Sequence, residues 1–260
     1  MLKHKKRWWS EEKSAKKLLV ARGRGYRLTA LLLLCGGISC FVLPMLLQKG
    51  YDSQTAELKT QFLEQIKEPS KATPNDGEVT APTKGLDELY AYLKSENERL
   101  YASGQEALSN PGAYEQPAIN LEEYGIKDNI IGFISLPTIN MELPIYLGAN
   151  EANMKKGAVH LTGTSYPIGG KNTNCVIAAH RGTALVMFRY INRLKNGDPV
   201  QITNFRQTLN YRVTGHEIIS SSQSSKIRIV PGKELLTLCS CNFYRGGFDL
   251  QRYIVYCEPV

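Results

Sequence analysis

The longest apolar run of the chain lies near its start. Residues 28–47 carry no charge and predict a membrane-spanning helix, because about 20 residues at about 1.5 Å each cover a hydrocarbon core of about 30 Å. A basic segment, residues 1–27, precedes the run, so the positive-inside rule predicts a cytoplasmic N-terminus and an extracellular position for everything after Gln48. A cleaved signal peptide is the alternative. The long basic segment and the lack of a small-x-small site after the run favour an uncleaved anchor.

After the apolar run the pattern changes twice before it becomes strand-like. Residues 48–85 are polar and interrupted by proline and glycine, which predicts a spacer. Residues 86–128 begin with apolar positions at helical spacing up to Leu108. The sequence Ser-Asn-Pro-Gly at 109–112 then predicts a stop, followed by a loop whose hydrophobic side chains need a surface to cover.

From residue 129 to residue 260 the chain shows short apolar stretches separated by turn residues. This pattern is typical of a mostly β domain, and we expect a closed barrel of about eight strands with short helices. One short helix is expected around Leu185–Leu194. The predicted strands cover residues 130–136, 142–146, 175–180, 199–203, 208–219, 234–241 and 252–257.

The charge of the chain is concentrated in its first segment. The net charge is +8, and residues 1–27 alone hold ten basic and two acidic residues. The remainder is therefore neutral, and a basic nucleic-acid surface on the folded part is not supported. Six cysteines are present, without the spacing of a disulfide framework or of a zinc site, so we expect no metal or other cofactor.

Two residues at predicted strand ends are candidates for chemistry. His180 ends one strand and Cys241 ends another, and strand ends that open into loops commonly reach substrate. The simpler interpretations are a packed histidine and a small buried thiol. A period of two puts Thr237, Cys239 and Cys241 on one face, so facing does not separate the two cysteines, although Cys241 lies nearer the strand end.

Five sequence blocks in this part of the chain match those of one known protein family. They span residues 129–258, in the order expected for the family. The first is Ile-Gly-Phe-Ile-Ser-Leu-Pro-Thr-Ile at 131–139. The second runs from Gly163 to His180-Arg181-Gly182, and the third is Ile-Val-Pro-Gly-Lys at 229–233. The last two are Thr-Leu-Cys-Ser-Cys at 237–241, similar to a TLxTC signature, and Gln-Arg at 251–252. Together these blocks resemble the sortase family, and the likeness is greatest to class C sortases, which assemble pili.

The resemblance implies roles for three residues. Cys241 would be the nucleophile that attacks the threonine carbonyl of an LPxTG-like sorting signal. His180 would exchange protons with the leaving and entering amines, and Arg252 would stabilise the oxyanion. Arg245 is the alternative for the arginine, because the loop from Cys241 to Arg252 is about two residues longer than is usual in the family.

The resemblance does not determine which amine accepts the acyl group or whether a lid covers the site. A pilin lysine would be the amine in the class C reaction, and the cell-wall cross-bridge in an anchoring sortase. A non-catalytic barrel that binds surface proteins and a hydrolytic cysteine peptidase are further alternatives. Class C members carry an Asp-Pro-aromatic lid, and Asn110-Pro111-Gly112-Ala113-Tyr114 is its nearest counterpart here. Residues 105–120 are therefore expected to form a lid.

Overall fold

The computed structural model describes residues 2–67, 85–109, 114–117, 119–181, 185–220, 222–242 and 251–260. The side chains of residues 2–28, 107, 241 and 242 lie outside the described set. The chain divides into two compact units, residues 1–50 and residues 51–260. The second unit carries the barrel and every residue that the sequence suggested for chemistry.

Helix α1 (Leu2–Lys67) contains the predicted membrane segment. Within it, residues 29–67 include an 18-residue window of mean hydropathy 2.4, so this helix is long and apolar enough to cross a membrane. Its apolar side chains are exposed, with Leu33 and Phe41 close to four-fifths accessible. Exposed contiguous apolar surface of this kind needs a nonpolar environment, and helix α1 is therefore a candidate membrane anchor.

Eight strands form a closed barrel. They are β1 (Ile130–Leu136), β2 (Met141–Leu147), β3 (Ala158–His160), β4 (Thr173–Ala178), β5 (Pro199–Asn204), β6 (Thr208–Ser220), β7 (Glu234–Asn242) and β8 (Gln251–Pro259). Their spatial order is β1-β2-β3-β4-β7-β8-β6-β5, and an antiparallel β1–β5 ladder closes the ring. The β2–β3 and β4–β7 ladders are parallel. The predicted fold class is confirmed, and β3 is a strand that the sequence pattern missed.

Helices are few outside α1. Helix α2 (Leu86–Ala102) covers part of the predicted amphipathic segment and buries Leu89 and Leu93 completely. Helix α3 (Glu151–Lys156) lies between β2 and β3, with the Asn150 side chain capping its first turn. Short 3₁₀ helices cover residues 106–109, 121–124, 137–139, 188–193 and 224–227. The helix expected around Leu185–Leu194 is thus a 3₁₀ helix, Phe188–Arg193.

Residues 51–67 of α1 belong to the barrel unit. Phe62 is almost fully buried and meets Phe133 of β1 edge to face, with ring centroids 5.6 Å apart. Such an aromatic pair adds about 0.5–1.5 kcal/mol beyond the area that it buries. Lys59 forms an ion pair and hydrogen bond with Glu142 of β2. The end of α1 is therefore part of the packed structure around β1 and β2.

His160, the last residue of β3, is buried in a polar setting. Its Nε2 atom lies 3.0 Å from the carbonyl oxygen of Ser165, and its ring stacks on Tyr166 with centroids 5.0 Å apart. Burial lowers the pKa of His160 from 6.5 to about 4. The ring is therefore neutral at physiological pH, and it serves packing rather than charge.

Acid should weaken the barrel through His160. Between about pH 6.5 and pH 4 the unfolded chain protonates this ring while the folded chain does not, so stability falls as pH falls through this window. We expect this residue to contribute a loss of about 2 kcal/mol between pH 7 and pH 5. Urea unfolding of His160→Gln should show a shallower pH dependence than the wild type. His216→Gln, at an exposed position, should keep the wild-type dependence. Equal slopes in all three proteins would contradict the prediction.

Candidate active site

Three neighbouring strands bring the sequence-derived residues to one end of the barrel. Cys241 of β7 and Arg252 of β8 are direct partners in the antiparallel ladder. On the other side of β7, the parallel ladder with β4 ends at the pair Ala178–Cys239. Continuing that register by two residues puts His180 level with Cys241. Opposed residues in neighbouring strands have Cα atoms about 5 Å apart, so the three positions form one compact group.

His180 is held through its backbone just after β4. The amide of Ala179 donates to the carbonyl of Cys239 at 3.2 Å, and the amide of Phe188 donates to the carbonyl of His180 at 3.0 Å. These bonds fix the residue between β7 and the 3₁₀ helix Phe188–Arg193. Its side chain is half-buried.

Charged groups lie around the histidine. The pKa of Glu151 lies below its usual range, first because Lys155 binds its carboxylate and, more weakly, because His180 is near. Arg181 places its guanidinium 5.6 Å from the ring centroid of Tyr253, next to Arg252 in sequence. The site therefore has an acidic group on the α3 side and basic groups on the β8 side.

The strand alternation of β7 separates two clusters. Leu236 and Leu238 point into the barrel core. Cys239 belongs to a second apolar cluster on the outer face, together with residues from β4, β6, β8, two 3₁₀ helices and the loop after β3. The buried members of this outer cluster are Leu108, Leu161, Val176, Ile219, Ile227, Cys239 and Ile254. Period two puts Cys241 and Arg252 at positions on this outer face, at the end of the cluster.

Residues 103–109 and 114–117, here called the covering segment, lie over the outer cluster. Leu108 is only 1% exposed within the cluster, and Tyr114 packs against it. The Tyr114 hydroxyl donates a hydrogen bond to the Leu108 carbonyl. Burial, with Cys239 nearby as a smaller cause, raises the pKa of Tyr114, while Arg228 lowers it. Tyr114 therefore lies close to β7 at Cys239, and Cys239 precedes Cys241 by two residues on that strand.

Hydrogen bonds hold both ends of the covering segment. The Gln105 side chain donates to the Gly163 carbonyl at 3.2 Å and accepts from the Ile229 amide at 2.6 Å. The Ala149 amide donates to the Tyr114 carbonyl at 2.6 Å. In the predicted lid motif only Tyr114 is described, since residues 110–113 lie outside the described residues.

A buried polar network around Asn174 supports the outer face. The Asn174 amide group donates to the carbonyls of Ile227 and Arg228, both at 3.1 Å. Its oxygen accepts from the Thr237 hydroxyl at 2.8 Å. Asn174 thus joins β4 and β7 to the loop that carries Ile227. Nothing in the sequence pattern singled out this residue, because an asparagine within a strand usually indicates no particular contact.

The remaining described cysteines of the barrel are unsuited to nucleophilic chemistry. Burial raises the pKa of the Cys175 thiol, and burial raises the pKa of the Cys257 thiol to about 12. Both therefore stay protonated and inert. Within the described part of the chain, no group of three or more histidine, cysteine or acidic residues could hold a metal ion. Arg245, the alternative arginine, lies outside the described residues.

Comparison with known proteins points to one family. A family model for the sortase domain matches residues 134–260. Sortase D of Bacillus subtilis (strain 168) is 31% identical over 130 residues, which are 50% of this chain and 63% of that protein. The chain thus spans less than two thirds of that relative.

Solved structures agree over a larger share of the chain. Sortase C of Clostridium perfringens, determined with the C-terminal cell wall sorting motif, is 28% identical with a TM-score of 0.60, covering 79% of this chain and 98% of that one. A pilus-related sortase C of Group B Streptococcus is 30% identical with a TM-score of 0.51, covering 65% of this chain and 90% of that one. These two neighbours are both class C sortases.

The contact between Gly148 and the covering segment allows a direct test. Gly148 has φ +82°, and a Cβ atom there would lie 2.8 Å from the Glu115 carbonyl oxygen. Gly148→Ala should therefore cost about 1–3 kcal/mol of stability and loosen residues 114–117. Faster amide hydrogen exchange at Ala149, which donates to Tyr114, would report the loosening.

Gly197→Ala is the matched control. Gly197 also has a positive φ, +94°, but its Cβ would meet nothing within 4 Å. This variant should show only the backbone penalty and leave exchange at Ala149 unchanged. Equal effects of the two substitutions on that amide would show that the covering segment does not rest on Gly148.

Proposed function

Since the chain belongs to the sortase family, a family of cysteine transpeptidases, we propose that it cleaves an LPxTG-like sorting signal and joins the new carboxyl end to an amine. The observation that supports this most directly is the strand register. It brings the positions of His180, Cys241 and Arg252 together at one end of β4, β7 and β8.

In the proposed reaction Cys241 acts as a thiolate. A free thiol has a pKa of about 8.5, and a neighbouring cation favours its ionised form. The thiolate attacks the threonine carbonyl of the signal, and the resulting oxyanion is stabilised by Arg252. His180 then protonates the leaving glycine amine, and a thioacyl intermediate remains on Cys241.

The second half of the reaction transfers the acyl group. An incoming amine approaches the side of the site on which His180 lies, and the imidazole takes up its proton as it attacks the thioester. A new amide bond forms, and the thiolate leaves. The amine that we propose first is a pilin lysine, since the solved neighbours are class C sortases and one of them is described as pilus-related. The cell-wall cross-bridge is the second candidate.

The proposed location follows from the anchor. We propose that residues 1–27 are a cytoplasmic tail, that residues 28–47 cross the membrane, and that the barrel from residue 129 onward works outside the cell. The basic charge before the apolar run supports this orientation. Residues 48–85, of which 51–67 also pack on the barrel, would connect the anchor to residues 86–128, the helix and lid region.

We further propose that the covering segment is a lid. Leu108 and Tyr114 occupy the apolar outer face beside β7, where an extended peptide would have to lie to reach Cys241. The hydrogen bonds of Gln105 and Tyr114 hold this cover in place. A sorting signal would therefore have to displace these side chains before the thiol could react.

Substitution of the proposed nucleophile is the first test. Cys241→Ala should reduce product formation from a sorting peptide and an amine by about a thousandfold or more. Cys239→Ala, two residues away on the same strand, should remain active. Mass spectrometry with a lysine-containing pilin and a cross-bridge amine offered together would identify the acceptor. A covalent product from Cys241→Ala would refute the enzyme hypothesis, and release of free acid with abundant amine present would indicate a hydrolytic peptidase.

The same assay separates the two candidate arginines. Arg252→Lys should lower kcat by about a hundredfold, because a lysine cannot reproduce the paired donors of the guanidinium. Arg245→Lys should have little effect. The reverse order would assign the role to Arg245.

Removal of the cover should speed up modification of Cys241. Deletion of residues 105–120 should raise the rate at which iodoacetamide alkylates this thiol, and Tyr114→Ala should do so in part, because less cover must move first. Tyr101→Ala, at an exposed position of α2, serves as the control. Unchanged alkylation rates after both changes would refute the lid.

A further inference from the structure

Two cysteines lie on the same face at the end of β7. Cys239 and Cys241 are separated by Ser240 alone, and a strand repeats its facing every two residues. Cys239 is 8% exposed and packs in the outer cluster with Leu108 and Ile254. The apolar cluster suits Cys239 as a packed thiol, and its spacing from Cys241 suits it for chemistry between the two sulfur atoms as well.

The last residues of β7 are paired with β8 on one side but not with β4 on the other. The ladder with β4 ends at Cys239, and the Ala179 amide makes the last bond on that side. The ladder with β8 continues to the pair Asn242–Gln251. A bend beyond Cys239 would leave the β4–β7 ladder intact and would separate the β7–β8 pairs that follow, Cys241–Arg252 among them.

Ser240 would lose no side-chain hydrogen bond in such a bend. Its side chain is 2% exposed, and its hydroxyl has no hydrogen-bond partner among the described residues. Because this hydroxyl makes no hydrogen bond, a movement of Ser240 breaks none. A buried hydroxyl without a partner is also unfavourable, so a movement that gives it one would be favourable. The residue between the two cysteines is thus a suitable position for the backbone to turn.

The spacing of the two cysteines is close to that of a disulfide. Two residues of extended strand span about 6.6 Å between Cα atoms, and disulfides have Cα separations of about 4.4–6.8 Å. A regular strand holds the Cβ atoms too far apart, and the bend at Ser240 would bring them together. The resulting bond would be strained and therefore easily reduced.

We infer that Cys239 is a resolving thiol that protects Cys241 by forming a reversible disulfide with it when the site meets a hydroperoxide. The inference rests on the proposed function, in which Cys241 is a thiolate. Its sulfur attacks the peroxide, the O–O bond breaks, and Cys241 becomes a sulfenic acid while hydroxide or an alkoxide leaves. The sulfur is oxidised by two electrons, and the peroxide is reduced.

The second step forms the disulfide bond. The sulfur of Cys239 attacks the sulfenic sulfur of Cys241, the S–S bond forms, and the S–O bond breaks. The oxygen leaves as water with the thiol proton of Cys239. A dithiol then returns both cysteines to the reduced form by exchange. These two reaction steps prevent further oxidation of Cys241 to the sulfinic acid, which thiols cannot reverse.

One tryptic peptide reports the outcome. Cleavage after Lys233 and Arg245 releases residues 234–245, which contain both cysteines and no other cleavage site. The full-length protein in detergent would be treated with hydrogen peroxide, alkylated, digested and analysed by mass spectrometry. The wild-type peptide should lose two hydrogen atoms and resist alkylation, and dithiothreitol should restore both alkylation and transpeptidation.

The Cys239→Ser variant should behave differently. Its peptide should gain two oxygen atoms at Cys241, and its activity after peroxide and dithiothreitol should be about tenfold below that of the treated wild type. Cys239→Ala provides a second variant if the serine disturbs folding. Cys175→Ala, which changes a thiol in the barrel interior, should match the wild type.

The outcomes separate this inference from the proposed function. Transpeptidation by untreated protein and a thioester on Cys241 test the nucleophile without peroxide. If both are present and the wild-type peptide still gains oxygen atoms, or if Cys239→Ser recovers as fully as the wild type, the resolving role is wrong. If untreated protein forms no thioester at Cys241, the proposed function itself fails.

Discussion

Six consecutive pairs join β4 to β7 in parallel, from Thr173–Glu234 to Ala178–Cys239. The carboxyl ends of two parallel strands lie at the same end of the sheet. This ladder therefore makes the segment after β4 and the last residues of β7 neighbours. The antiparallel ladder between β7 and β8 adds Arg252 from the other side. Closure of the barrel through β1 and β5 prevents either ladder from slipping, since a shift by one residue would turn every core side chain outward.

The outer cluster depends on the same ladders. Asn174, on β4, accepts from Thr237 on β7 and holds the carbonyls of Ile227 and Arg228. A buried amide that loses one of these partners would carry an unsatisfied polar atom, so the network ties the loop to the barrel more firmly than apolar contact alone. The covering segment then rests on a surface whose shape is already fixed. The covering segment is itself held by hydrogen bonds and by packing among the described residues.

Much of the barrel could be predicted from the sequence, because strand alternation and turn residues are local signals. β1 was predicted with its observed limits, and β7 to within one residue. β3 was missed, since three residues are too few to show a period. The β2–β3 ladder begins at Ile145, directly after Pro144, which has no amide hydrogen to donate. The pairing of Cys241 with Arg252 could not be predicted from periodicity, because it depends on register across a loop. The roles of these residues stay predictions.

The end of α1 has a consequence for how the barrel can be separated from the candidate membrane anchor. Residues 51–67 cover part of β1 and β2, with Phe62 buried against Phe133 and Lys59 bound to Glu142. A protease that cut within this stretch would release the barrel and also uncover the aromatic surface beneath it. The barrel would then expose an apolar surface to water, so this length of helix is a structural part of the domain as well as a connection to the apolar segment before it.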